Sequence, residues 1–281
     1  MQVIRTTAEM ASWSIQSRKS GKRIGFVPTM GYLHAGHLSL IHLARERSDV
    51  VVLSVFVNPA QFLPGEDVDT YPRDFDRDAA LCGMAGVAVI FHPAAGEMYA
   101  ADHSVMINET RLSLGLCGAS RPGHFCGVAT VVAKLFNIVR PDVAVFGQKD
   151  VQQVRIIQRL VRDLNFPLEV VVGPIVREPD GLAMSSRNQY LSPVQRKDAL
   201  CLRLALDKAE SMCAGGERRM EVLRSGMLEV ITATPSAVVD YVEIVDDETL
   251  APLARMGRRA LVVLAVRIGS TRLLDNTVLV G

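Results

Sequence analysis

Residues 28–37 read Pro28-Thr29-Met30-Gly31-Tyr32-Leu33-His34-Ala35-Gly36-His37. The apolar run Ile24 to Val27 before them predicts a strand. Leu38-Ser39-Leu40-Ile41 after them opens a helical pattern that reaches about Arg47. Two histidines three positions apart, with Gly36 between them, therefore fall where a strand becomes a helix. The first turn of a helix carries unpaired N–H groups and a positive dipole end, so it attracts phosphate. Imidazole donors at that place can follow negative charge as it develops on a phosphate oxygen. Glycines on both sides let a ligand approach the backbone. His34 and His37 also have the i, i+3 spacing of a metal pair. No third and fourth ligand with zinc-like spacing accompanies them.

Outward from this stretch, apolar β-branched runs alternate with helical patterns. Ile24–Val27, Val50–Val57, Val87–Phe91, Val143–Phe146 and Leu168–Val172 read as buried strands. Helical patterns fall at about 36–47, 74–85, 124–139 and 150–164. This order predicts an α/β fold, a parallel sheet covered on both faces with right-handed crossovers. Composition changes near Pro174–Gly181, so we expect one domain over 1–175 and a smaller α+β domain over 176–281. In the second block Ser192-Pro193 predicts a helix start, with serine as N-cap and proline at the first helical position. Residues 217–232 look helical, and Val238–Val245 and Arg259–Ile268 look like strands.

Composition narrows the function classes. The chain has 281 residues, of which 49% are apolar, and 31 basic against 30 acidic side chains give a net charge of +1. That balance offers no electrostatic reason to expect nucleic acid or an anionic membrane as partner. Five cysteines (Cys82, Cys117, Cys126, Cys201 and Cys213) show no CxxC pair, so reduced thiols in a cytoplasmic protein are expected. The first residues lack the apolar core of a secretion signal, and no run has the length of a membrane span.

Ligands of open parallel sheets bind beyond the carboxyl ends of the strands. After Val50–Val57 comes Asn58-Pro59-Ala60-Gln61-Phe62, whose proline ends a strand and whose Gln61 amide suits a small hydroxy acid. After Val143–Phe146 comes Gly147-Gln148-Lys149-Asp150. Asp150 reads there as an N-cap that holds Lys149 at an anion-attracting helix mouth. Gln152 and Gln153 follow, one expected to face the cleft and the other solvent. Met184-Ser185-Ser186-Arg187 reads as a mobile clamp with two hydroxyls and a guanidinium for a polyphosphate, or else as an interdomain linker. Arg121, in Arg121-Pro122-Gly123-His124, starts a helix or faces a carboxylate. Asp74, Asp76 and Asp78 suit a solvated helix start. Nucleotide chemistry usually calls for Mg²⁺ on one or two carboxylates, and Asp78, deeper in its helix, is the candidate ligand.

Taken together and in order, PTMGYLHAGH, FVNPAQF, YPRDFDRD, RPGHFCGVATVV, FGQKDVQQ and MSSRNQYLS resemble the pantothenate synthetase (pantoate–β-alanine ligase) family over most of the chain. The HxGH element alone is shared with many nucleotidyltransferases. The resemblance implies a Rossmann-like doubly wound sheet of the HxGH type, a C-terminal lid domain and a homodimer. It implies ATP-dependent joining of (R)-pantoate to β-alanine through a pantoyl adenylate, giving pantothenate, AMP and pyrophosphate. By match, Met30, Gly31, Tyr32, Leu33, His34, Ala35, Gly36, His37, Gly147, Gln148, Lys149, Asp150, Val176, Met184, Ser185, Ser186 and Arg187 would line the ATP site. Gln61 and Gln153 would hold pantoate, Gln61 also β-alanine, and His37 matches the residue usually assigned as proton donor. His34, His37, Lys149, Ser185, Ser186 and Arg187, with Mg²⁺, would carry adenylation. Two positions depart from the usual pattern: Ala183 stands where many members have lysine, and GQKD stands where GEKD is common. Rival readings are a nucleotidyltransferase acting on a phosphorylated substrate, a nucleotide-sensing module without catalysis, and a class I aminoacyl-tRNA synthetase. Near-zero net charge counts against the last.

Overall fold

Runs of Val, Ile, Leu and Phe that can be buried on both faces give a parallel sheet its central strands. The computed structural model describes residues 1–281. Its elements, in chain order, begin with β1 (Gln2–Ile4), α1 (Thr7–Lys19), β2 (Ile24–Thr29), α2 (Ala35–Arg47), β3 (Val50–Val55), α3 (Phe75–Met84), β4 (Val89–Phe91) and α4 (Ala95–Met98). They continue with α5 (Cys117–Ser120), α6 (His124–Val139), β5 (Val143–Gly147), α7 (Val151–Asp163) and β6 (Glu169–Gly173). The last are α8 (Pro193–Asp198), α9 (Cys201–Ala214), α10 (Met220–Thr232), β7 (Ala237–Val245), β8 (Arg259–Ile268) and β9 (Thr271–Val280).

The chain forms two units. One comprises Met1–Ser113, Arg121–Gln148 and Gln153–Pro174; the other comprises Leu114–Ser120, Lys149–Gln152 and Ile175–Gly281. Leu114–Ser120 and Lys149–Gln152 thus group with the residues from Ile175 onward.

In the first unit six strands lie in the order β1-β4-β3-β2-β5-β6, and every pair is parallel. Successive strands run from β2 outward through β3 to β4, and the chain then crosses to β5 on the other side of β2. That reversal is a topological switch point. Phe26, Leu53, Ile90 and Phe91 are fully buried, each contributing roughly 1.5–3 kcal/mol relative to exposure. Up to β6 the structure has one strand, β1, and three helices, α1, α4 and α5, that the apolar runs do not announce. β1 is only Gln2–Ile4, and α1 is polar on most of its surface, held by its Thr6 cap rather than by a strong apolar stripe.

The second unit is an antiparallel sheet, β7-β8-β9, packed on α9 and α10. Central β8 is buried along nearly its whole length, which explains its unbroken Ala-Leu-Val-Val-Leu-Ala-Val run. Gly269 and Ser270 make a two-residue hairpin into β9, with Gly269 at φ +58°. Ser192 and Gln195 close a reciprocal capping box around Pro193, as the serine-proline pair predicts. No helix is long and apolar enough to cross a membrane.

Candidate active site

The β2–β5 ladder pairs Gly25 with Val143 and Phe26 with Ala144 and then stops. Pairing of β2 with β3 continues to Thr29 and Val55. Pro28 has no N–H with which to extend a ladder, so β2 and β5 part at their carboxyl ends, at the switch point. The chain then turns sharply. Thr29 Oγ1 donates to the Ser54 carbonyl at 2.7 Å and accepts the Gly31 amide at 3.1 Å. Gly31 has φ +86°, and a Cβ there would lie 2.9 Å from Val55 Cγ1 and 3.0 Å from Asp78 Oδ2. Only glycine fits.

Asp78, on α3, holds the next two residues. Its Oδ2 accepts the Tyr32 amide and its Oδ1 the Leu33 amide, both at 2.7 Å. The carboxyl is buried, and burial raises its pKa despite the two amides and nearby Arg77, which lower it. Arg77 completes the bracket: Nη2 donates to the Leu33 carbonyl at 2.9 Å, and the guanidinium lies 4.9 Å from the Tyr32 ring centroid.

The bracketed loop delivers His34 as the N-cap of α2. His34 Nδ1 accepts the Gly36 amide at 3.1 Å, and His37 Nδ1 accepts the His34 amide at 3.3 Å. This is a capping box made of two imidazoles, their ring centroids 4.1 Å apart. A ring nitrogen that accepts from an amide carries no proton, so each neutral ring bears its proton on Nε2. Both histidines are thereby fixed as Nε2–H donors at a helix N-terminus.

Gln61 closes a short 3-10 turn, Pro59–Gln61, after β3. Its Nε2 donates to Met30 Sδ at 3.3 Å and its Oε1 accepts Asn58 Nδ2 at 3.0 Å. The strand ends of β2 and β3 therefore meet side by side. Asn58 Oδ1 accepts the Tyr99 hydroxyl at 2.8 Å; burial pushes Tyr99 up to about 12, so that hydroxyl stays a donor. The Gln61 carbonyl accepts His124 Nδ1 at 2.7 Å and Arg121 Nη2 at 3.3 Å. Arg121 also grips Glu66 with two bonds of 2.6 Å. Helix α6 comes so close that a Cβ on Gly127 would lie 2.1 Å from the Ala60 carbonyl oxygen.

Within the second unit, Lys149, Val176 and Met184–Arg187 are tied together. The Lys149 carbonyl accepts Asn276 Nδ2 at 3.0 Å. The Met184 amide donates to the Val176 carbonyl at 3.0 Å, and Arg177 bridges Ala183. Ser185 caps the 3-10 turn Ser186–Tyr190 by accepting the Arg187 amide.

Known proteins resemble this chain over almost its whole length. The family profile of pantoate-beta-alanine ligase matches residues 2–278. The chain belongs to the pantoate–β-alanine ligase family. Pantothenate synthetase of Heliobacterium modesticaldum is 56% identical over 278 residues, covering 99% of both chains. That of Thermotoga petrophila is 54% identical over 279 residues, covering 99% of this chain and 100% of its own. A Thermus thermophilus pantothenate synthetase structure superposes with TM-score 0.93 at 46% identity over 99% of each chain. A Francisella tularensis pantoate-beta-alanine ligase, solved with beta-gamma ATP and beta-alanine, gives TM-score 0.82 at 33% identity over 99% of this chain and 97% of its own. Like other pantoate–β-alanine ligases, this chain is an enzyme, and it forms pantothenate.

Against that ligase fold, several sequence expectations change. Asp78 is read from sequence as a metal ligand, yet both its oxygens hold loop amides. No group of three or more His, Cys, Asp or Glu side chains is arranged to hold a cation. Arg121 faces a carboxylate of its own chain, Glu66, and braces Gln61 rather than offering a free charge to substrate. Gln152 does not face solvent; it is buried, accepting the Cys117 amide at 3.0 Å and donating to the Gly115 carbonyl at 2.8 Å. Gln153, in the first unit, is half-buried. Asp150 ends a 3-10 turn, Gln148–Asp150, that leads directly into α7, rather than standing outside the helix as an N-cap. The Met184–Arg187 segment is a capped turn with Ser186 buried, not an open linker. Ala183 is buried, its carbonyl taking Asn188 Nδ2 at 3.1 Å. Sequence reading missed Tyr99, His124, Asn276 and the bracing role of Asp78. For Asn58 a signal existed, since an Asn-Pro pair after a strand marks an N-cap.

Proposed function

We propose that this ligase drives pantothenate formation with ATP, through a pantoyl adenylate, and releases AMP and pyrophosphate. A free carboxylate is a poor acylating agent because its leaving group is poor. In the first step a pantoate carboxylate oxygen attacks the α-phosphorus of ATP, and the bond to the bridging oxygen of pyrophosphate breaks. In the second the β-alanine amine, after losing its proton, attacks the acyl carbon. A C–N bond forms, the C–O bond to AMP breaks, and AMP leaves.

The observation that carries this reading is the imidazole capping box at the start of α2, with Gln61 beside Met30. Two Nε2–H donors at a helix N-terminus suit charge building on phosphate, and Gln61 suits the hydroxy acid. In the first unit the ATP residues are Met30–His37, Gly147 and Gln148, with Gln61 and Gln153 for pantoate. In the second unit they are Lys149, Asp150, Val176 and Met184–Arg187. His37 is the proton donor, with His34, Lys149, Ser185, Ser186 and Arg187 sharing the charge. The Francisella complex with beta-gamma ATP and beta-alanine supports this choice of substrates. The side chains present do not form a protein cage for Mg²⁺, which would arrive on the phosphates, as is usual for this ion. A homodimer in a reducing cytoplasm completes the reading; the five free cysteines suit the reducing compartment.

The test supplies ATP, pantoate and β-alanine and omits each in turn. AMP should require ATP and pantoate, and pyrophosphate should exchange into ATP with pantoate alone. AMP release indifferent to pantoate overturns the proposal.

A further inference from the structure

The chain's last strand carries a polar pair, Asp275-Asn276, buried to 2% and 3% exposure. Asp275 takes Arg177 with two bonds, 2.7 Å to Nη1 and 2.9 Å to Nη2. Arg177 Nη1 donates onward to the Gly181 carbonyl at 3.0 Å, and the same residue bridges Ala183. Asp275 Oδ1 also accepts the Asn276 amide at 2.8 Å. Asn276 Nδ2 in turn donates to the Lys149 carbonyl. Successive residues of a strand point to opposite faces, so two neighbours on one rigid element reach two separate segments.

From this network we infer that Asp275 and Asn276 are positioning residues of the ligase. They fix the backbone that carries Lys149 relative to the backbone that carries Val176 and Met184–Arg187. The inference rests on the reading of those residues as ATP contacts. The physical case is that burying the Asp275 carboxylate under a half-buried arginine is a poor source of stability, since desolvation offsets most of the attraction. A fully connected buried polar network instead sets a unique geometry. Geometry matters here because a charge displaced by about 1 Å can lose about 10²-fold in rate. Arg177 adjoins Val176 directly, and the Asn276 bond is made to Lys149 itself, so the pair acts within a residue of the groups it places.

The experiment is pantoate-dependent exchange of pyrophosphate into ATP by the full-length enzyme. It compares Asn276→Ala, Asn276→Asp and the apolar double variant Arg177→Met/Asp275→Leu, with Lys149→Ala as the control. Both Asn276 variants should lower kcat for exchange about 10-fold or more, by the cost of misplacement, while the KM for pantoate stays as in the parent. The double variant should keep the parental melting temperature yet remain slow. Parental exchange by a folded Asn276→Asp enzyme, or recovery of rate along with stability in the double variant, overturns the inference. If Lys149→Ala is slow while the Asn276 variants are not, the ATP assignment stands and the inference alone fails. If Lys149→Ala is itself unimpaired, the ATP assignment fails and the inference falls with it.

Discussion

His34 and His37 show how one residue type does two tasks at once. Each Nδ1 satisfies a main-chain amide at the start of α2, and each Nε2 is left as the proton-bearing nitrogen. Replacing His37 by alanine should lower adenylation by about 10²-fold, the usual effect of losing one preorganised donor, and Lys149→Ala should do the same. Pyrophosphate exchange reads both, and near-parental exchange removes either residue from the catalytic set. Asp78 is the residue whose role sequence alone mistakes. Acidic residues near a helix start suit solvent or a cation, and only the fold reveals the two amides above it. Asp78→Asn keeps one acceptor and turns a donor toward the other amide. It should cost about 1–3 kcal/mol, the penalty for an unsatisfied buried group. Urea unfolding measures this, and an unchanged midpoint would remove the bracket from the account.

At the level of elements, helices α3 and α6 brace the loops that follow β2 and β3. α6 does so by close approach. Gly127→Ala would press a methyl group onto the Ala60 carbonyl. Overpacking of this kind costs about 1–3 kcal/mol, and it should raise the KM for pantoate by moving Gln61, with kcat less affected. Steady-state kinetics with varied pantoate decides it. The Arg121–Glu66 pair braces the same turn and makes it acid-sensitive. Burial pushes Glu66 up, but the bonds from Arg121 and the Leu63 amide outweigh it and leave the folded pKa below the usual 4.5. A lowered folded pKa means that the stabilisation is fully present above 4.5 and is lost as pH falls through the lower folded value. Glu66→Gln should therefore lose less stability than the parent between pH 4.5 and the acid limit. Parallel melting curves for the two proteins across that range would contradict it.

On the scale of the whole molecule, each unit has its own apolar core, and the residues we propose for ATP do not divide between the units at a single point of the chain. Lys149–Gln152 groups with the C-terminal unit, and the Lys149 backbone is anchored to β9. A fragment of residues 1–174 should thus keep helix and strand content by circular dichroism yet form no pantothenate, because its lysine has lost its anchor. Undiminished pantothenate formation by the fragment refutes this. Sequence alone determined the alternation of buried strands and helices, the strand-to-helix position of the histidine motif, the Ser192-Pro193 helix start and the family. These are local patterns of period, capping and motif order, which short windows record. Strand β9 stayed unread although Gly269-Ser270 marks a two-residue hairpin before it. The tertiary structure alone decided that Asp78 holds amides, that Arg121 belongs to Glu66 and that Asn276 holds Lys149. Each of these joins residues 45 to 127 positions apart, and which buried polar group finds which partner is fixed only when the layers pack.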